Sequence, residues 1–261
     1  MKDILIKISS RLGMYKILEY TGNYSSWDEA RKKTKGYDAD EIFEKVTKSA
    51  LTVTKGDACY ERDSWLYYEK EYNYPLLFHM QNSKGIYRVL DCGGAAASTY
   101  FQNRDMLNKM AKQLKWFVIE QPHFASWGEK NLQDENLIFY SNNVKTDEII
   151  KREGINIVLL SAVIHYLDFA DALIEQIISS KVEKIIIERT PVGCNERIMI
   201  ETVREPIYDA SYPIHIFEED ELVKKFKGYR MVASWKSLVD EDIMRRKETI
   251  ATFKSYVFEL Q

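Results

Sequence analysis

Apolar positions follow two regimes along this chain. From residue 87 onward, short apolar runs alternate with stretches at helical spacing, which is the pattern of strands joined by crossover helices and hence of a mostly parallel sheet. The runs at 87–91, 116–120, 137–140, 155–160 and 184–188 predict five successive strands, with helices near 99–114, 124–131, 146–153 and 169–179. After Pro213 the pattern changes. Residues 217–226 predict a helix, with Glu218, Glu219, Asp220 and Glu221 early and Lys224 and Lys225 late, as the helix dipole prefers. Residues 229–235 and 250–260 predict two further strands, which the charged segment 240–248 joins as an antiparallel edge pair.

Upstream of residue 84 the chain is aromatic-rich and reads as helical, without strand alternation. Helix starts are predicted at Ser25-Ser26-Trp27-Asp28-Glu29 and at Tyr37-Asp38-Ala39-Asp40. The expected division is therefore an N-terminal helical cap or extension over 1–84 and an α/β domain over 85–261. Ile4, Leu5, Ile8, Leu12, Tyr15 and Leu18 recur near helical spacing among Lys2, Lys7, Arg11 and Lys16. Such a basic amphipathic helix over residues 1–20 is a candidate for packing on the rest of the protein, for a homodimer contact, or for peripheral membrane contact. Lys2, Asp3 and Lys7 interrupt its apolar residues, so neither a signal-peptide core nor a spanning segment is read there.

Composition narrows the classes. With 261 residues and 45% apolar content the chain can bury one substantial core plus an appendage. A net charge of −3 offers no basic field for counterion release, so nucleic acid is not an expected partner. Three cysteines, Cys59, Cys92 and Cys194, lack the spacing of a zinc site or a disulfide framework, which fits a reducing cytoplasm and no metal.

The chemistry concentrates at the predicted strand ends, where ligands of open α/β sheets sit. The run Tyr87-Arg-Val-Leu-Asp-Cys-Gly-Gly-Ala-Ala-Ala-Ser98 delivers Asp91 and then Gly93 and Gly94 into a turn before a helix, letting backbone N–H groups approach a ligand. A carboxylate there repels a pyrophosphate, disfavouring a dinucleotide, but suits a ligand carrying a sulfonium and an α-ammonium: S-adenosylmethionine. Glu120 ends the second strand, where its carboxylate can accept from two vicinal ribose hydroxyls. Asn142, in Ser141-Asn142-Asn143, is a candidate for the adenine edge, and Ser161 and His165 follow the fourth strand. His165 is the first candidate base for a substrate hydroxyl, with His123 and Glu188 behind it. Arg189, Tyr208 and Tyr212 are candidate acceptor contacts, and Pro191 predicts an extended, outward-facing loop at Thr190.

Five parallel strands followed by an antiparallel pair match the class I methyltransferase sheet: a Rossmann-like α/β fold with seven strands, one of them antiparallel. Beyond the pattern, Ser26-Trp27-Asp28-Glu29-Ala30, Gly36-Tyr37, Tyr60-Glu61-Arg62-Asp63-Ser64, Val89-Leu90-Asp91-Cys92-Gly93-Gly94, Glu120-Gln121-Pro122-His123-Phe124, Arg189-Thr190-Pro191 and Tyr208-Asp-Ala-Ser-Tyr-Pro213 together resemble S-adenosylmethionine-dependent methyltransferases of bacterial surface-polysaccharide (O-antigen and capsule) gene clusters. The resemblance implies cofactor contacts from Asp91, Gly93 and Glu120, with Gly94 and Gln121 in the same two motifs, and a cap over the site. The expected activity is O-methylation of a sugar hydroxyl of a glycan or glycan precursor; a non-catalytic nucleoside-binding scaffold or sensor is the alternative. The chain departs from the family at Ala95 and Ala97, where glycines commonly continue the loop, and at His165, where glutamine is frequent. Left-handed backbone is costly for alanine, so positive φ is expected only at Gly93 or Gly94.

Overall fold

The computed structural model describes residues 17–36, 40–205, 207–245 and 247–261. In chain order the strands are β1 (Leu18–Tyr24), β2 (Tyr60–Arg62), β3 (Trp65–Tyr67), β4 (Ile86–Cys92), β5 (Gln113–Glu120), β6 (Leu137–Ser141), β7 (Ile157–Ser161), β8 (Lys184–Gly193), β9 (Arg197–Val203), β10 (Ala210–Glu218), β11 (Tyr229–Lys236), β12 (Ile243–Arg245) and β13 (Glu248–Leu260). The helices are α1 (Trp27–Arg31), α2 (Asp40–Thr54), α3 (Tyr74–Met80), α4 (Ser98–Met110), α5 (Pro122–Asn131), α6 (Thr146–Glu153), α7 (Ala170–Ser179) and α8 (Glu219–Lys224).

The centre is a Rossmann-like sheet of order β6-β5-β4-β7-β8-β13-β11. β4 to β8 run parallel, and β13 runs antiparallel to both β8 and β11. Period-two alternation splits the core into two faces. Tyr87, Val89, Trp116, Val118, Leu159 and Ile186 pack on one side; Leu90, Phe117, Ile119, Val158, Leu160 and Ile187 pack on the other. Strands covered on both faces read as continuous apolar runs, which is why these were visible in the sequence.

Three sequence expectations change. The stretch before residue 85 is not helical throughout: β1 pairs antiparallel with β9, and β2 with β3 form a two-stranded ribbon. Leu18 lies in β1, not in an N-terminal helix, and residues 1–16 of that expected helix fall outside the described residues, as do 37–39 of the second expected helix start. The expected loop at Thr190 and Pro191 is strand instead, with both residues buried, because β8 continues to Gly193. Its last residues pair with β10, which carries β9 and β1 onto the same sheet. Pro213 hides β10 from a sequence reading. It sits where β10 pairs with β9 only, the edge position a residue without an N–H tolerates. No described helix is long and apolar enough to cross a membrane.

Candidate functional site

The carboxyl ends of β4, β5, β6 and β7 open onto one cavity of about 570 Å³. Asp91, Gly93, Gly94, Glu120, Gln121, Asn142, Ser161 and His165 all line it, as do Arg189, Tyr208 and Tyr212. The sharp turn after β4 explains its residues. Gly93 has φ +71°, and a Cβ there would lie 2.4 Å from Val163 Cγ2. At Gly94 a Cβ would lie 2.7 Å from Asp91 Oδ2, so the second glycine keeps the carboxylate's space clear. Positive φ does not stop at glycine, contrary to expectation: Ala95 (φ 46°) and Ala97 (φ 62°) are left-handed before α4, and Ala162 (φ 51°) follows β7. Each costs roughly 1–2 kcal/mol in a non-glycine residue. This strain gathers around the cavity, as it does where the surroundings over-determine a site.

Two buried carboxylates dominate the near end. Asp91 is 1% exposed; Trp116 Nε1 donates to its Oδ2 at 3.2 Å, and burial pushes its carboxyl up to about 8 against that bond. Glu120 is also buried, and burial pushes it up to about 7, with the Gln121 amide pulling the other way. Among the described residues neither has an ion-pair partner. Buried acids without a cation stay ionised only when something supplies positive charge or hydrogen-bond donors.

The far end carries acids and tyrosines that the sequence reading did not assign. Glu201, in β9, accepts from Tyr166 Oη at 2.8 Å and Tyr20 Oη at 3.5 Å, and burial pushes it up to about 7. Glu61, in β2, accepts from Ser98 Oγ and, at 3.1 Å, from the Ser64 amide; burial pushes it up to about 7 as well. Arg189 is left-handed (φ 54°) inside β8 and forks onto Asp240, its Nη2 2.9 Å from Oδ1 and its Nε 2.9 Å from Oδ2. The sequence held a signal for Glu201: an acid among Ile198, Met199, Ile200 and Val203 is out of place in an apolar run.

The three candidate bases part company. His165 is fully buried and neither ring nitrogen has a hydrogen-bond partner among the described residues, while burial lowers its imidazole to about 3. Glu188 does not line the cavity; Asn73 Nδ2 donates to it at 2.9 Å and Ser161 Oγ at 3.4 Å. His123 is exposed at the start of α5, its ring 5.0 Å from Phe43 and 4.9 Å from Phe124, and it does not line the cavity either. Among the described residues no group of three or more His, Cys, Asp or Glu side chains is placed to hold a metal ion.

No family model and no curated protein matches the chain. Solved structures are similar in fold. The N-terminal domain of EvdMO1, crystallised in the presence of SAH and D-fucose, is 9% identical with a TM-score of 0.47 over 84% of this chain and 97% of its own. A Listeria monocytogenes protein provisionally assigned as an S-adenosylmethionine-dependent methyltransferase is 11% identical, TM-score 0.47, over 72% of this chain and 96% of its own. LepI in complex with SAM is 11% identical, TM-score 0.48, over 99% of this chain and 63% of its own. Those neighbours were crystallised with SAH or SAM in two of the three cases.

Proposed function

We propose that this protein is an S-adenosylmethionine-dependent methyltransferase that O-methylates a sugar hydroxyl of a surface glycan or its cytoplasmic precursor, with the described residues before 85 contributing to the cover of the site. One observation carries the reading: Asp91 and Glu120, at the tips of adjacent parallel strands, are buried without a cationic partner among the described residues and line the same cavity beside the Gly93–Gly94 turn. Glu120 suits the ribose hydroxyls as acceptor. Asp91 suits the positive end of the cofactor and would repel a pyrophosphate. Asn142, Gln121 and Ser161 complete the polar lining on that side.

S-adenosylmethionine supplies an electrophilic methyl group and needs little else from the protein but alignment and exclusion of water. His165 supplies a neutral nitrogen that can accept from the acceptor hydroxyl. Its depressed basicity is adequate, because an oxygen that has gained a methyl group while keeping its proton is a far stronger acid than an imidazolium. His123 and Glu188 receive no role in this scheme, given their places outside the cavity.

Isothermal titration of the full chain with SAM, SAH and NAD tests the reading. One-to-one binding of SAM and SAH, none of NAD, and at least tenfold weaker SAH binding by Glu120→Ala are expected. Binding of NAD in place of SAH overturns it. Bound SAH without labelled-methyl transfer to sugar or glycan acceptors would leave a nucleoside-binding scaffold.

A further inference from the structure

The far lobe of the cavity has an unusual charge balance for a site that would take a neutral sugar. Two of its guanidinium groups are paired with carboxylates, Arg189 forking onto Asp240 and Arg31 pairing with Asp168, while Arg62, whose Nη2 donates to Gln102 Oε1 at 2.8 Å, keeps its charge near Glu61. Glu201 is left with hydroxyl donors only among the described residues, although it is 3% exposed. Around Glu201 the rings form a corner. Tyr166 and Tyr212 meet edge to face at 5.1 Å and 84°, and His165 lies 4.1 Å from Tyr166. A carboxylate bonded by tyrosine hydroxyls and flanked by packed tyrosine rings has the chemistry to hold an organic ammonium, since ring quadrupole and carboxylate both attract it in a desolvated pocket.

A second observation points to a ligand independently of the acids. Both ring nitrogens of His165 are buried and unpartnered among the described residues, and the residue lines this cavity. Buried polar atoms in native folds have partners, so an orphaned neutral imidazole beside a cavity marks a donor that arrives with the ligand.

We infer that the acceptor carries a basic amine, bound as its ammonium in a cage made by Glu201, Tyr20, Tyr166 and Tyr212, with His165 accepting a hydrogen bond from the same molecule. This rests on the methyltransferase reading for the identity of the bound molecule as acceptor, but the cage itself does not. An amino sugar satisfies both. The ammonium recruits the molecule, and its neighbouring hydroxyl remains the group presented to the cofactor.

The test compares dissociation constants of D-glucosamine and D-glucose from saturation-transfer NMR titrations at pH 7, with and without SAH. Glucosamine should bind at least tenfold tighter than glucose. Glu201→Gln should bring the two within about twofold of each other, while SAH affinity stays within twofold of the parent. Tyr212→Leu keeps the carboxylate and removes one wall, so it should weaken glucosamine several-fold and leave glucose unmoved. Equal binding of the two sugars, or binding of neither, overturns the inference. Failure of SAH to bind overturns the methyltransferase reading alone, because a glucosamine preference that survives without SAH still supports the cage.

Discussion

Trp116 reaches across from β5 to donate its indole N–H to Asp91 Oδ2 at 3.2 Å, so the carboxylate at the tip of β4 is fixed by the strand that carries Glu120. The two acids of the proposed cofactor site are thereby mechanically linked. Trp116 is itself fully buried, and its ring fills the core below the turn. Its position is set by packing, and its one polar atom is spent on the site.

Trp116→Phe keeps most of the ring and removes that donor. Losing a hydrogen bond to a buried charged group costs about 1.5–3 kcal/mol. The Asp91 carboxyl should rise further above about 8, since the indole bond is what opposes burial. The expected outcome is weaker SAM binding at pH 7, by about tenfold or more, with partial recovery at pH 9. Calorimetry at the two pH values reads it, and an affinity equal to the parent at pH 7 would deny the bond a role.

Gly94→Ala should be worse than an ordinary overpacking change. The new methyl would stand 2.7 Å from Asp91 Oδ2, 2.8 Å from its Cγ and 3.2 Å from Val118 Cγ1, on two short, buried side chains with little room to yield. Stability should fall by about 1–3 kcal/mol, and SAH binding should be lost beyond that because Asp91 must rotate away from Trp116. Urea titration and calorimetry separate the two effects. A variant that is destabilised but binds normally would mean the carboxylate's position is immaterial.

His165→Gln is expected to retain cofactor affinity and to slow methyl transfer by about a hundredfold, the lower end of what general acid–base groups contribute. Because the imidazole is lowered to about 3, methyl transfer by the parent protein should show no His165 inflection between pH 5 and 9. An inflection near pH 6.5 that disappears in the variant would show that bound substrate restores the ordinary imidazole range. An unchanged rate in the variant would remove His165 from the chemistry.

The sequence exposed the parallel core because Val89, Leu90, Val158, Leu159 and Leu160 lie in strands apolar on both faces, and it exposed Asp91 because a carboxylate before two glycines is locally conspicuous. The near lobe was legible for the same reason: strand ends place it. In the far lobe Arg189, Tyr208 and Tyr212 were legible as candidate acceptor contacts, but the acids were not. Glu61 and Glu201 reach the cavity through a short ribbon and through β9, whose attachment depends on β8 running on past Glu188 with a left-handed kink at Arg189. Such long-range pairings leave no period in the chain. The left-handed alanines escaped because alanine itself carries no local signal for positive φ.

Stability should depend on pH in two stages, and the sign follows from which state holds more protons. Asp91 at about 8 and Glu61, Glu120 and Glu201 at about 7 have folded values above their ordinary range, so the native state holds their protons where the unfolded chain has released them. Their contribution is complete below the ordinary carboxylate range and is lost as pH rises through 7 and 8. His165, lowered to about 3, and His79 and His215, also lowered by burial, act oppositely: the unfolded chain binds their protons below about 6.5, so they favour folding as pH rises toward that value. Between pH 5 and 6.5 the histidines offset only part of the carboxylates' loss, so Tm should already fall there, and less steeply than the carboxylates alone would make it. Above 6.5 the histidines are neutral in both states and only the carboxylates titrate, so Tm of the ligand-free protein should fall by at least about 5 °C between pH 6.5 and 8.5. Saturating SAM should shrink that fall, because positive charge and ribose hydroxyls favour the ionised forms of Asp91 and Glu120. Scanning calorimetry at half-unit steps with and without SAM reads both effects. A Tm that rises across this range, or a fall that SAM leaves untouched, would mean that these carboxylates are not the uncompensated acids of a cation-binding cavity.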